Sequence, residues 1–122
     1  MKKRYKLDYD WKAEMVVEID HSLITEEDLH NINKFWSNAD GRLMEEEGNI
    51  LNVVLKMLFQ HLLMLQIETG WATHGLIDRF DWDKGHGQEG WTKMDGSTGI
   101  QLIDIDEFSF ETSDMTIKEE ES

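Results

Sequence analysis

From Tyr5 to Ile19 the odd positions read Tyr, Leu, Tyr, Trp, Ala, Met, Val, Ile, and most of the even positions between them are charged. Period-two patterning buries one face and wets the other, so it predicts strand. A hairpin turning near Asp10-Trp11-Lys12 satisfies it, as would one long bent strand. The period then changes. Thr25-Glu26-Glu27-Asp28 offers a hydroxyl N-cap with an acid three positions later, and Leu29, Ile32, Phe35 and Trp36 follow at helical spacing. A first helix is expected from there to near Ser37. Asn38-Ala39-Asp40-Gly41 reads as a short linker into Arg42 to Glu47. Gly48-Asn49 then caps a long helix running to about Thr69, with Gly70 as its stop.

That long helix is apolar on nearly every side. Only Asn52, Lys56 and Gln60 make a thin polar stripe, which His61 is expected to complete. Such a helix must be covered on several faces, and the candidates are a sheet, the first helix and a second copy of the protein. Residues 71–80 fit neither helix nor strand patterning. A glycine-rich loop is expected from Asp83 to Gly99, long enough to be the first place to look for a binding surface. Ile100, Leu102, Ile103 and Ile105 read as a strand, and Phe108 with Phe110 as a second strand or its continuation. Met115 to Ser122 should fray.

The elements add up to an α+β fold in which an antiparallel sheet, the N-terminal hairpin plus C-terminal strands, packs on a long central helix and a shorter one. Residues 1–114 are expected to form one domain and 115–122 an acidic tail. A chain of 122 residues with no proline gives no marked boundary or second unit.

Charge changes the picture. There are 26 acidic and 12 basic side chains, a formal net charge of −14. Such a chain would repel nucleic acid and anionic membranes, so direct binding to either is not expected. The bases Lys2, Lys3, Arg4, Lys6 and Lys12 crowd the N-terminus, and from residue 99 onward acids dominate. A hydrophobic content of 39%, with five Trp and five Phe, supplies a core that a disordered acidic chain would lack. No cysteine is present, which removes disulfides, thiolate metal sites and thiol nucleophiles and fits a reducing compartment. The basic start is broken by Asp8, Asp10 and Lys12 where a signal peptide needs an apolar run, and the long helix carries too many polar groups for a span. A cytoplasmic location is expected.

Candidate chemistry is thin. Gly85-His86-Gly87-Gln88-Glu89-Gly90 has the letters of a dinucleotide fingerprint, but no buried strand leads in, no helix pattern follows and nearby acids would repel phosphate. No cofactor is expected. Asp81, Asp83, His86 and Glu89 supply oxygens and an imidazole that could hold a divalent cation, without EF-hand spacing, and are weak metal candidates. Ser97, His86 and Asp95 can be grouped on paper, but nothing strains the serine or supplies an oxyanion donor. The histidines show no paired spacing of the kind zinc enzymes use. Met57 and Met64, seven apart, suit core packing or an adaptable groove. No catalytic residue is assigned.

The segments Leu29-His30-Asn31-Ile32-Asn33-Lys34-Phe35-Trp36-Ser37 and Gly90-Trp91-Thr92-Lys93-Met94-Asp95-Gly96-Ser97-Thr98-Gly99-Ile100 resemble an uncharacterised family of small acidic proteins carried by phages, prophages and plasmids of proteobacteria. The resemblance runs over nearly the whole chain and implies no activity or catalytic residue. It does imply a mobile-element setting, in which small acidic proteins often block host nucleases or CRISPR complexes; that is analogy. On this reading Glu45, Glu46, Glu47, Asp104, Asp106, Glu107 and Glu111 substitute for phosphates against a basic, nucleic-acid-binding host protein. The alternative is a homodimer, joined through the long helix, that binds a small ligand or metal through the glycine-rich loop 81–97.

Overall fold

The computed structural model describes residues 1–10, 12–108 and 110–120. Strands β1 (Lys2–Tyr9) and β2 (Ala13–Asp20) pair antiparallel, with Lys2 opposite Asp20 and Tyr9 opposite Ala13. The alternating segment is therefore a hairpin and not one bent strand. The Lys12 amide donates to the Tyr9 carbonyl at 2.8 Å across the turn, whose middle residue, Trp11, lies outside the described residues. Alternation puts Ala13, Met15, Val17 and Ile19 in the core. On the outer face Glu18 and Glu14 take Arg4 and Lys6 at 3.1 and 3.3 Å, and Asp20 takes the N-terminal ammonium at 3.6 Å. Two of the five bases at the start of the chain, Arg4 and Lys6, and the terminal ammonium thus neutralise acids of β2.

Helix α1 (Glu26–Phe35) opens with the expected reciprocal cap: the Asp28 amide donates to Thr25 Oγ1 at 3.2 Å and the Thr25 amide to the Asp28 carboxylate at 2.9 Å. It stops at Phe35, short of Ser37, because the chain turns through a left-handed Asn38 straight into a second short helix, α2 (Ala39–Glu45). Three of the four residues of the expected linker, Ala39, Asp40 and Gly41, are therefore helix. Arg42, on α2, holds the junction: Nε donates to Asn33 Oδ1 at 2.9 Å, Nη2 to the Asn33 and Trp36 carbonyls at 2.9 and 3.1 Å, and Nη1 to the Ser37 carbonyl. A cation thereby satisfies the orphan carbonyls at the negative end of α1.

Helix α3 (Ile50–Thr69) has the expected ends, with Asn49 Oδ1 accepting from the Asn52 amide at 3.1 Å and left-handed Gly70 after it. Its mean hydropathy of 1.6 would suit a membrane span, yet 56% of that window is buried inside this fold. The unassigned residues 71–80 contain α4 (Thr73–Asp78), under two turns long and so too short to show a period, which buries Leu76.

Strand β3 (Ile100–Ile105) pairs antiparallel on the other side of β2, giving the order β1-β2-β3. A bulge sets Val17 opposite Leu102 but Val16 opposite Asp104. The extra residue shifts the alternation, so Ile100, Leu102 and Ile105 point inward and Asp104 turns out. Phe108 and Phe110, expected as a strand, are outside any strand. Asp106 ends the ladder by bonding both backbone groups of Glu14, each at 2.9 Å, and the Phe108 amide turns to the buried Gln66 side chain at 3.2 Å. The outer edge of β3 is partly closed by residues 94–96, since Leu102 donates to the Met94 carbonyl and Gly96 to the Ile100 carbonyl. The core lies between the sheet and α3, with α1 on the flank of α3 and Phe80, Trp91 and Met94 completing it.

Candidate functional site: a groove between the first strand and the long helix

One helix, about 10–12 Å across with its side chains, covers roughly two strands spaced about 4.8 Å apart. A three-stranded sheet is wider than one helix; α4 packs on β3, α3 approaches β1 along one side only, and β1 is the strand left partly uncovered. The inward residues of β2 and β3 are buried, whereas Tyr5 and Leu7 are only half-buried and Tyr9 is 48% exposed. Facing them, the expected stripe of α3 through Asn52, Lys56 and Gln60 is exposed but does not end polar. It continues into Met64 and Ile67, 57% and 46% exposed. Between strand and helix lies an open groove of about 1390 Å³, walled on a third side by Glu107, Phe108, Phe110, Glu111, Asp114 and Met115, of which the apolar Phe110 and Met115 protrude.

The sequence-predicted acids divide between this groove and elsewhere. Glu45 and Glu46 from the end of α2, and Glu107 and Glu111 from the C-terminal segment, line it together, joined by Asp114. The remaining three stand apart. Glu47 occupies the left-handed turn between α2 and α3, Asp104 accepts from the Thr73 hydroxyl at 3.4 Å beside α4, and Asp106 is the backbone clamp on Glu14. The groove also has cations, but most are engaged. Glu46 takes Lys56 at 2.8 Å, Lys6 is held by Glu14, Arg42 by backbone carbonyls, and Lys12 stands over the Tyr9 ring at 5.5 Å.

The glycine loop is folded onto the body of the protein. Trp91 and Met94 are buried core residues, and the rings of Trp82 and Phe35 press on Gly87 and Gly90 where a Cβ would stand, so these two fingerprint glycines serve close packing, while Gly85 has open space and a left-handed turn (φ 80°). Of the four weak metal candidates, Asp81 and Asp83 converge on a cation that the chain supplies, the Lys93 ammonium. Its hydrogen bond to Asp83, with Asp81 adding charge, holds it above its ordinary pKa. Glu89 and His86 do not join them, and among the described residues no three acids or histidines stand close enough to hold a metal ion. Ser97 donates to Asp95 at 2.6 Å within its own turn, and no hydrogen bond among the described residues links His86 to either.

His61 does not complete the polar stripe. It points the other way, among the rings of Trp36, Phe80 and Trp91, with its Nε2 3.0 Å from the Gln88 side-chain oxygen. Helical spacing from Lys56 and Gln60 already places residue 61 off the stripe, a signal the sequence contained. The same spacing carries the stripe from Gln60 to Met64 and Ile67, but the half-covered face of β1 had no such signal, because apolar letters do not say which apolar face lacks a neighbour.

The chain matches, over residues 14–117, a family model described as "Protein of unknown function (DUF2528)". It is 51% identical over 117 residues to "Lambda prophage-derived protein ea10" of Escherichia coli O6:H1 and equally to "Protein ea10" of Escherichia phage lambda, each match covering 95% of this chain and 95% of the relative. No solved structure matches. The phage and prophage setting implied by residues 29–37 and 90–100 is thereby established.

Proposed function

The chain belongs to the DUF2528 family, and from that premise we propose that it is a non-enzymatic phage protein that binds a basic, nucleic-acid-binding host protein and competes there with nucleic acid. It would act in the cytoplasm of the host cell. The observation that carries this reading is the convergence of Glu45, Glu46, Glu107 and Glu111, from distant parts of the chain, on one groove with an exposed apolar wall. The charge of the chain supports it: five of the twelve bases, Arg4, Lys6, Lys56, Lys84 and Lys93, are in ion pairs within the fold, and the chain as a whole carries a surplus of −14 that attracts a basic partner. Apolar contact supplies affinity where charge supplies steering and orientation.

The test is capture from a bacterial lysate at low salt by the tagged protein, beside a variant carrying Glu45→Gln, Glu107→Gln and Glu111→Gln and a control carrying Glu26→Gln and Glu27→Gln on the remote start of α1. A nucleic-acid-binding protein retained by the wild type and the control, lost from the groove variant, and displaced by duplex DNA is the expected result. A partner held equally by all three sinks the phosphate-substitution reading.

A further inference from the structure

Resting on that reading, we infer that the groove receives an amphipathic α-helix of the partner, laid beside α3 with its apolar stripe against β1 and its Lys/Arg flank against the acidic wall. The fold has two layers, and α3 and α4 together leave the inner face of β1 only partly covered. The vacancy lies over β1, where Tyr5, Leu7 and Tyr9 face it from the sheet and Met64 and Ile67 face it from α3. β1 is also an edge strand, but a strand added there would extend the sheet past β1 and leave this face bare, so the piece that fills the groove is helical.

Charge selects the source of the helix. Glu45 and Glu107 line the groove with no ion pair among the described residues, whereas of its bases Lys6 and Lys56 are paired, Arg42 is held by backbone carbonyls and Lys12 lies over the Tyr9 ring. A second copy would bring another −14 against this wall. A helix with a basic flank meets no such opposition and leaves the Lys6–Glu14 pair intact. The thioether side chains of Met57 and Met64 adapt to varied apolar stripes, which suits capture of a helix evolved for another purpose.

The experiment uses two synthetic peptides of identical Leu/Lys composition, each about 18 residues so that a helix of several turns can form. One spaces leucine at i, i+3, i+4 and i+7, and the other alternates leucine with lysine. Each is titrated into the isotopically labelled full-length protein and followed by amide chemical shifts. The helical peptide should bind about tenfold or more tighter than the alternating one, with shifts centred on Tyr5, Leu7, Met57, Met64 and Ile67. The variant Met64→Lys with Ile67→Lys should lose that binding and keep the wild-type circular dichroism spectrum. Equal binding of the two peptides, shifts confined to the outer edge of β1, or a free protein that sediments as a dimer with Met64 and Ile67 shielded would each overturn the inference. If the helical peptide seats in the groove but lysate capture yields no nucleic-acid-binding protein, the occupant stands and the competition reading falls. If capture succeeds and the helical peptide does not bind the groove, the reverse holds.

Discussion

Arg42 carries more structure than any other charged side chain described here, because one guanidinium serves three carbonyls and the buried Asn33 amide at once. Lysine cannot replace it: an ammonium keeps the charge but not the planar fork. Arg42→Lys should therefore destabilise the fold by about 1.5–3 kcal/mol, the range for hydrogen bonds to a charged group, read as a lowered urea midpoint with unchanged slope. A second device recurs at two turns. Ser22 and Ser97 each donate a hydroxyl and a backbone amide to the aspartate two residues earlier, and these hydrogen bonds lower the pKa of Asp20 and of Asp95 from the ordinary 3.8. A depressed carboxyl pKa contributes stability that is present above 3.8 and is lost as pH falls through the folded value. Ser97→Ala should raise the Asp95 pKa toward 3.8 in a carboxyl-carbon NMR titration. The stability gap to wild type should be present at neutral pH and should close in acid, once Asp95 is protonated in both states.

At the scale of elements, α3 has two kinds of apolar position that look alike in sequence. Leu58 is fully buried against the sheet, while Met64, two turns on, stands in the groove. Leu58→Ala should cost about 2–5 kcal/mol, and Met64→Ala about 0.5 kcal/mol or less, as for an exposed site, with thermal unfolding as the measurement. Equal costs would mean that the groove is closed in solution. The same contrast explains what the sequence made legible. The hairpin, the capping box of α1 and both ends of α3 were readable because period, cap chemistry and Gly70 act locally. The bulge in β3 was not, since only the pairing with β2 reveals that Ile105 has changed parity. The groove acids were legible as acids, but whether Glu107 and Glu45 share a wall depends on how the C-terminal segment returns across α3. Asp106 has the same chemistry and a different fate, fixed by the backbone of Glu14.

For the molecule as a whole, the two roles of charge have opposite dependences on salt. A net charge of −14 on 122 residues makes the folded chain repel itself, and compact states suffer more from this than expanded ones. The cross-strand pairs of β1 with β2 offset part of it, but they are exposed on the Lys and Arg side and each contributes little. Raising ionic strength from about 0.01 to 0.15 M shortens the screening length from about 30 to 8 Å, which quenches the long-range repulsion before it touches contacts at 3 Å. The melting temperature should therefore rise over that range while affinity for a basic partner falls. Neutralising Glu45 and Glu107 should do the same without salt: equal or higher melting temperature, weaker capture. Calorimetric melts of both proteins at the two ionic strengths decide it. A melting temperature that falls with added salt would mean that the ion pairs outweigh the repulsion, and the acidic surplus would then belong to the stability of the fold and not to a partner.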